Sequence, residues 1–153
     1  LSGSGVAAAS MAGDFPRARG YYEKGVQLSS YADGPGNQLA FALLKLGETK
    51  KAAAILGSNL ATFKQLTRDH PEDSHNPLVV ATIYAMKNNP EEAVSWLRMS
   101  VELGYSEYRW LNVDPTFDTV RRHAAFLGIM EKLRERLKGM HSRAEERGLF
   151  RQK

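Results

Sequence analysis

The sequence predicts an all-α protein built from three antiparallel helical hairpins, followed by C-terminal capping helices. Three observations predict this class. A pattern of small, bulky, alanine and bulky positions recurs three times along the chain. Each recurrence contains a short turn of Gly or Asn at the same point. The last segment repeats apolar residues at spacings of four and three, which is typical of an amphipathic helix.

The composition fits one soluble domain or one short repeat array. The chain has 153 residues, of which 42% are hydrophobic and 25% are charged. It contains no cysteine, which excludes disulfides, thiolate zinc sites and a cysteine nucleophile. We therefore expect a reducing, cytoplasmic location, with the periplasm as the alternative if the chain is attached to a membrane-spanning regulator. No run of about 18 apolar residues is present, so no membrane span is expected.

The recurring positions keep a constant offset from one segment to the next. They are Val6, Ala9, Ala18 and Tyr22 in the first segment, Ala40, Leu43, Ala52 and Leu56 in the second, and Ala81, Tyr84, Ala93 and Leu97 in the third. The first two sets are offset by 34 residues at every position, and the second and third by 41. Antiparallel helices approach closely only where side chains are small, and a single hairpin cannot cover its own apolar face. The pattern therefore predicts stacked hairpins.

Turn and capping residues fall where this pattern requires them. The turns are Gly13-Asp14, Gly47-Glu48 and Asn88-Asn89. Asn89-Pro90 predicts a helix start, because Asn can cap the helix and Pro tolerates the first helical position. Asn76-Pro77 predicts the start of the preceding helix in the same way. The longer second offset inserts seven residues, close to two helical turns, and predicts one long helix over about 49–68.

The ladder of small, bulky and alanine positions resembles the tetratricopeptide repeat family over residues 1–104. The resemblance implies a helical solenoid that binds a partner protein, peptide or neighbouring domain in a concave groove. The first helices of the hairpins would line that groove with Asn37, Phe41, Leu44, Lys45, His75, Leu78, Thr82 and Met86. The Lys and Asn set that clamps a C-terminal carboxylate in chaperone-binding members is not reproduced. We therefore expect an apolar helix or extended peptide as the ligand, unless the chain's own C-terminal helix fills the groove.

From Tyr105 the ladder stops, and residues 105–153 are expected to form a short helix, an Asp-Pro turn and a long basic capping helix. The string Trp110-Leu111-x-Val113-Asp114-Pro115-x-Phe117-Asp118-x-Val120-Arg121 is the most distinctive part of the sequence. It resembles the ending of tetratricopeptide regions in bacterial class III adenylate or guanylate cyclases, Ser/Thr kinases and winged-helix regulators. The chain departs from that ending at His123-Ala124-Ala125, where the resemblance implies an acidic-proline helix start. Because the chain opens at Leu1 within a hairpin, we interpret it as the C-terminal region of a longer signalling protein.

The last segment carries Phe126, Met130, Leu133, Leu137, Met140 and Ala144 on one helical face. One interpretation is a helix that caps the last hairpin. The other is that its distal half overhangs the stack and forms a homodimer with a second copy.

The positive charge of the chain lies in its last residues. Residues 131–153 contain eight Lys or Arg and four Asp or Glu, which accounts for the whole net charge of +4. A nucleic-acid-binding tail is therefore an alternative function. It would use Arg134, Arg136, Lys138, Arg143, Arg147, Arg151 and Lys153. The interleaved Glu131, Glu135, Glu145 and Glu146 instead favour a solvated, salt-bridged face, so nucleic acid is not the expected partner.

The sequence shows no catalytic constellation. His70, Glu72, Asp73 and His75 could be imagined as metal ligands of a hydrolase, but they lie in a polar loop rather than on one helical face. No nucleophile elbow, zinc-protease motif or phosphate-binding glycine loop is present. We therefore expect no catalytic residue, no cofactor and no metal, and a protein that is not an enzyme.

Overall fold

The computed structural model describes residues 12–28 and 33–148, and these residues form helices with no strand among them. The α-helices are α1 (Phe15–Leu28), α2 (Asp33–Lys45), α3 (Thr49–Asp69), α4 (His75–Met86), α5 (Pro90–Glu102), α6 (Tyr108–Val113) and α7 (Ala124–Glu146). A 3-10 helix, Pro115–Phe117, lies between α6 and α7. The all-α prediction is confirmed. In the described part of the chain, no helix combines the length and apolar character that crossing a membrane requires.

Helices α1 to α4 each pack against the next helix along the chain. Helix α3 spans 21 residues, Thr49–Asp69, which confirms the predicted long helix. Its buried residues include Leu56 and Phe63, which are seven positions apart and therefore lie on one face. The inserted residues thus lengthen α3 without turning its apolar face away from its neighbours.

The recurring small positions are among the most deeply buried residues of the structure. Every alanine of the ladder within the described residues exposes at most 1% of its surface, namely Ala18, Ala40, Ala52, Ala81 and Ala93. Of the bulky positions, Tyr22, Leu43, Leu56 and Leu97 are buried and Tyr84 is half-buried. Val6 and Ala9 lie outside the described residues. Because almost none of the surface of these alanines is accessible, they mark where neighbouring helices pack closely.

The turns of the pattern share one backbone geometry. Gly13, Gly47 and Asn88 have φ angles of 78°, 80° and 55°, in the left-handed region that glycine and asparagine adopt most readily. At the end of α2 the Glu48 amide donates to the Leu43 carbonyl at 2.9 Å, and at the end of α4 the Asn89 amide donates to the Tyr84 carbonyl at the same distance. Both are Schellman-type helix ends, which explains the Gly and Asn at these positions.

One predicted helix start is confirmed and one is wrong. The Asn89 side chain accepts a hydrogen bond of 3.3 Å from the Glu92 amide, as the Asn89-Pro90 pattern predicts. Asn76, by contrast, lies inside α4 and is buried, because the helix already begins at His75. The Asp73 carboxylate accepts from the His75 amide at 2.8 Å. The side chain that accepts from an amide at the start of α4 is therefore that of Asp73, and not that of Asn76 as the sequence predicted.

The C-terminal segment shares a hydrophobic core with the last hairpin. One cluster of buried residues joins Leu97 and Val101 of α5 to Leu111, Phe117 and residues of α7 up to Leu133. Helix α7 packs against α5 and α6. The segments before and after residue 104 are thus continuous in their packing.

Helix α7 begins without an acidic-proline sequence. The Nδ1 atom of His123 accepts a hydrogen bond of 3.3 Å from the Ala125 amide and caps the helix. A histidine therefore satisfies one of the amides that have no partner within the helix at its start.

Candidate functional site

A pocket of about 140 Å³ lies where α2 and α4 meet the C-terminal segment. We call it the groove pocket. It is lined by Asn37, Gln38, His75, Leu78, Val79, Thr82, Trp110, Asp114 and Phe117. Four of the groove residues predicted from the sequence, Asn37, His75, Leu78 and Thr82, are among them. The structure therefore brings predicted positions of two hairpins to one concavity.

The other four predicted groove residues do not line this pocket. Phe41 is 5% exposed, and its ring packs edge-to-face on Phe15 of α1 with 5.9 Å between ring centroids. The ammonium group of Lys45 lies 5.3 Å from the centroid of the same ring. Leu44 and Met86 are half-buried against the core of the first two hairpins. The prediction that Phe41 offers an exposed contact is therefore wrong, because α1 and Lys45 cover it.

Asn37 is also buried, although it borders the groove pocket. Its side chain is 5% exposed, and its Oδ1 atom accepts a hydrogen bond of 2.9 Å from Nδ2 of Asn59 on α3. A buried amide must be hydrogen-bonded, and this one uses its oxygen to join two helices. The prediction of an exposed Asn37 is thus wrong, and its main role in this structure is to fix α2 against α3.

The remaining pocket residues give it apolar walls and a polar edge. Leu78, Val79 and Phe117 contribute apolar surface, and Trp110 remains 42% exposed. The Thr82 hydroxyl donates to the Leu78 carbonyl at 3.0 Å, so its proton is already used within α4. His75 is exposed at the first residue of α4. Apolar walls with few polar groups suit an apolar side chain rather than a charged ligand.

Five lining residues of the pocket were not assigned to the groove by the sequence. Two of them, Gln38 and Val79, lie on α2 and α4, and the other three are Trp110, Asp114 and Phe117 of the C-terminal segment. They reach it because the 3-10 helix packs against α4. The Thr119 hydroxyl reinforces this contact by donating to the Ala85 carbonyl at 2.7 Å. The only sequence signal was the distinctive string itself, which contains these residues but does not say what they pack against.

Nearly every residue of that string has a structural role. Leu111, Phe117 and Val120 are at most 1% exposed, and the Asp114 carboxylate accepts from the Thr116 amide at 3.0 Å and from its hydroxyl at 2.7 Å. Asp114 therefore caps the 3-10 helix, as its position before Pro115 predicts. Trp110 and Val113 are the large apolar side chains of the string that the core leaves exposed, and of the two only Trp110 lines the groove pocket.

The electrostatics of this region follow from burial. Burial raises the pKa of Asp114 above its usual range, while the hydrogen bonds from Thr116 and the charge of Arg121 oppose the shift. Burial, together with the neighbouring Glu107 and Asp114 carboxylates, raises the pKa of Tyr105 to about 12. The ionised carboxylate of Asp114 is therefore held at an energetic cost beside the groove pocket.

The C-terminal helix does not supply the residues that close the pocket. Those residues belong to α6, the 3-10 helix and the Asp114 between them, whereas α7 packs against α5 and α6. These contacts therefore do not support the interpretation in which the long C-terminal helix fills the groove. A shorter segment closes one end and leaves the pocket open.

The polar loop after α3 does not assemble a metal site. Nδ1 of His70 lies 3.8 Å from an oxygen of Glu72, and both side chains are exposed. His75 belongs to α4 and borders the groove pocket instead. Within residues 12–28 and 33–148, no three His, Asp or Glu side chains are grouped so as to hold a metal ion.

Comparison of the chain with protein-family models, with curated proteins and with solved structures finds no match. The function is therefore inferred from the residues of the groove pocket and from the sequence pattern.

Proposed function

We propose that this chain is a non-catalytic protein-interaction module in which tetratricopeptide-like hairpins hold a partner in the groove pocket. The observation that carries the proposal is Trp110, a 42% exposed indole at a pocket whose other walls include Leu78, Val79 and Phe117. Large aromatic side chains beside an apolar pocket are the usual anchors of protein interfaces. The ligand would be an apolar helical or extended segment that inserts one side chain.

The size of the pocket favours a side chain over a free small molecule. Pockets for drug-sized ligands usually measure about 300–1,000 Å³, whereas this one measures about 140 Å³. The amide of Gln38 and the imidazole of His75 lie at its edge, where they can hydrogen-bond to the main chain of a bound segment.

The biological setting proposed for this module is regulatory. Residues 110–121 resemble the ending of helical arrays in bacterial signalling proteins such as adenylate or guanylate cyclases. In that setting the module would hold a second protein, or a neighbouring domain of the same protein, in the cytoplasm.

The proposal is tested by selecting binders and then filling the pocket. Peptides selected from a random display library on the purified chain should carry one large apolar residue at a constant position. Thr82→Trp places a bulky ring in the pocket and should weaken their binding about tenfold or more, measured by fluorescence anisotropy. Ser95→Trp adds the same ring at an exposed position of α5 and is the matched control. Equal binding to both variants, or no selected peptide, would refute the proposed site.

A further inference from the structure

The distal half of α7 presents an apolar stripe that the fold does not cover. Phe126, Met130 and Leu133 are buried, whereas Met140, which lies on the same helical face seven residues after Leu133, is 51% exposed. Ala144 follows it, half-buried, at the same helical spacing. Met140 and Ala144, with Arg143 and Arg147, line a shallow depression of about 170 Å³. The helix thus seals the core with its first half and leaves its second half open.

The residues that flank the distal half of this stripe are arginine and histidine. The flanking positions hold Arg134, Arg136, His141 and Arg143. The acidic residues of α7 lie on its other faces. Glu131 pairs with Arg134 at 2.7 Å, Glu135 with Lys138 at 3.3 Å, and Glu145 lies 3.1 Å from Nε2 of His141, so the flanking groups without a carboxylate partner are Arg136 and Arg143. This surface therefore consists of an uncovered apolar stripe with basic side chains on both sides.

Two cations near the end of α7 have no partner within the described part of the chain. The side chains of Arg143 and Arg147 make no hydrogen bond or ion pair there, although both line the depression beside Met140. Arg136, in contrast, donates to the Val101 carbonyl at 3.2 Å and so helps to hold α7 on α5. The unsatisfied positive charge lies at the end of α7 where the apolar stripe is exposed.

A second copy of the chain is a poor occupant of this surface. When two helices pair along such stripes, the flanking residues of one helix lie opposite those of the other. In an antiparallel pair arginine would face arginine, and in a parallel pair Arg136 would face His141, so the flanking positions would offer no carboxylate to the arginines. Arginines opposed across an interface are destabilising. The charges instead complement a helix whose own apolar stripe is bordered by Glu or Asp.

An anionic membrane fits the surface less well. Helices that lie in a bilayer interface have a broad apolar face with large side chains such as Trp, Phe and Leu. The stripe here is one residue wide, with Met140 51% exposed and both Leu137 and Ala144 half-buried. A narrow seam of this kind is the geometry of helix pairing.

We propose that the distal half of α7, residues 134–147, docks an acidic amphipathic helix of a partner protein. Met140 and Ala144 pack against the apolar stripe of that helix, and Arg143 and Arg147 pair with its carboxylates. The docked length is about 20 Å, or four helical turns. This surface lies on α7 and is separate from the groove pocket, whose lining residues belong to α2, α4 and the segment from α6 to the 3-10 helix.

The test uses the whole chain and two labelled synthetic peptides. Both carry leucine at every a and d position of three heptads; one has Glu at all e and g positions and the other has Lys. The Glu peptide should bind in anisotropy titrations and the Lys peptide should not. Binding should weaken steeply as salt is added. Equal binding of the two peptides, or no binding of the Glu peptide, would overturn the proposal.

Variants locate the binding site. The double variant Arg143→Glu/Arg147→Glu, and separately Met140→Glu, should each weaken binding of the Glu peptide about tenfold or more. Lys24→Glu/Lys87→Glu makes the same change of net charge at two exposed positions elsewhere, and it should retain most of the binding. Unchanged affinity in Arg143→Glu/Arg147→Glu would contradict the proposal.

Two competing occupants are distinguished in the same series. If light scattering shows a dimer that Met140→Glu converts to a monomer, the occupant of this surface is a second copy of the chain and not an acidic helix. If the chain binds tightly to phosphatidylserine vesicles and Met140→Glu abolishes that binding, the occupant is an anionic membrane and not an acidic helix. Because Thr82→Trp should leave binding of the Glu peptide unchanged, failure of this proposal and failure of the groove-pocket function give different results.

Discussion

The guanidinium group of Arg121 donates a hydrogen bond of 2.7 Å to the main-chain oxygen of Asp114, the residue at which α6 ends and the 3-10 helix begins. It also donates to the carbonyls of Leu111 at 3.1 Å and Asn112 at 2.6 Å. Carbonyls in the last turn of a helix lack partners within the helix. One side chain therefore satisfies three of them and fixes the segment that supplies Trp110 to the groove pocket.

Arg121→Ala is expected to lower the free energy of unfolding by about 2 kcal/mol, because a charged donor to several carbonyls is lost. Arg121→Lys should recover only part of this, since an ammonium group cannot reproduce the planar fork. Urea unfolding measures both, with Arg122→Ala at the exposed neighbouring position as the control. If Arg121→Ala and Arg122→Ala had equal stabilities, the clamp would have no energetic role.

Asp114→Asn should separate the capping role of Asp114 from its charge. Because burial raises the pKa of Asp114, the folded state binds this proton more readily than the unfolded chain. The stability of the native protein relative to Asp114→Asn should therefore rise as pH falls through that raised pKa and be lowest near neutrality. Unfolding curves from neutral pH down to the ordinary aspartate pKa of 3.8 measure the difference. A difference that is independent of pH would contradict the assignment.

Asp114→Ala removes the acceptor as well as the charge. This variant should be about 1 kcal/mol less stable than Asp114→Asn, because the Thr116 amide loses its hydrogen-bond acceptor and the 3-10 helix loses its cap. The same unfolding experiment compares the two variants at one pH, and equal stability would exclude a capping role for Asp114.

Lys64 of α3 lies between the rings of Tyr84 on α4 and Trp96 on α5. Its ammonium group is 5.1 Å and 5.7 Å from the two ring centroids, and it donates to the Tyr84 hydroxyl at 2.6 Å. Lys64→Met should cost about 1 kcal/mol, because a hydrogen bond and the cation–π contacts are lost while the aliphatic stem remains. Lys50→Met, at an exposed position of the same helix, should change stability by less than about 0.5 kcal/mol in thermal unfolding.

The buried amides of Asn37 and Asn59 should be energetically coupled. Each single change to alanine is expected to cost about 1–3 kcal/mol, since it removes one partner of a buried hydrogen bond. The double variant should cost about 1 kcal/mol less than the sum of the single changes. A double-mutant cycle by chemical denaturation gives this value, and simple additivity would show that the pair does not interact.

The two halves of α7 should differ in their contribution to stability. Leu133 is fully buried, and Leu133→Ala should cost about 3 kcal/mol by leaving a cavity. Met140→Ala should change stability by less than about 0.5 kcal/mol, because Met140 is largely exposed and touches little of the core. Urea unfolding compares the two, and a large loss in Met140→Ala would show that the distal half is part of the core.

Much of the local structure was readable from the sequence because its causes are local. The left-handed turns at Gly47 and Asn88 use the residues that tolerate that conformation, and Asn89 and Asp114 cap the residues directly after them. The length of α3 followed from a seven-residue insertion that preserves the helical face. The start of α4 was misplaced because Asp73 competes with Asn76 for the same capping role over a distance of three residues.

The sequence by itself thus determined the helices, their turns and the alanine positions where they approach, since these depend on periodicity and on backbone preferences of single residues. Only the tertiary structure decided which predicted groove residues remain accessible. Phe15 covers Phe41, and Asn59 takes the amide oxygen of Asn37, so neither presents the surface that its helical position alone implied. Trp110 borders the pocket because the 3-10 helix packs on α4. Helical periodicity states which face of a helix is apolar, but the partner of that face is set by contacts between residues distant in the chain.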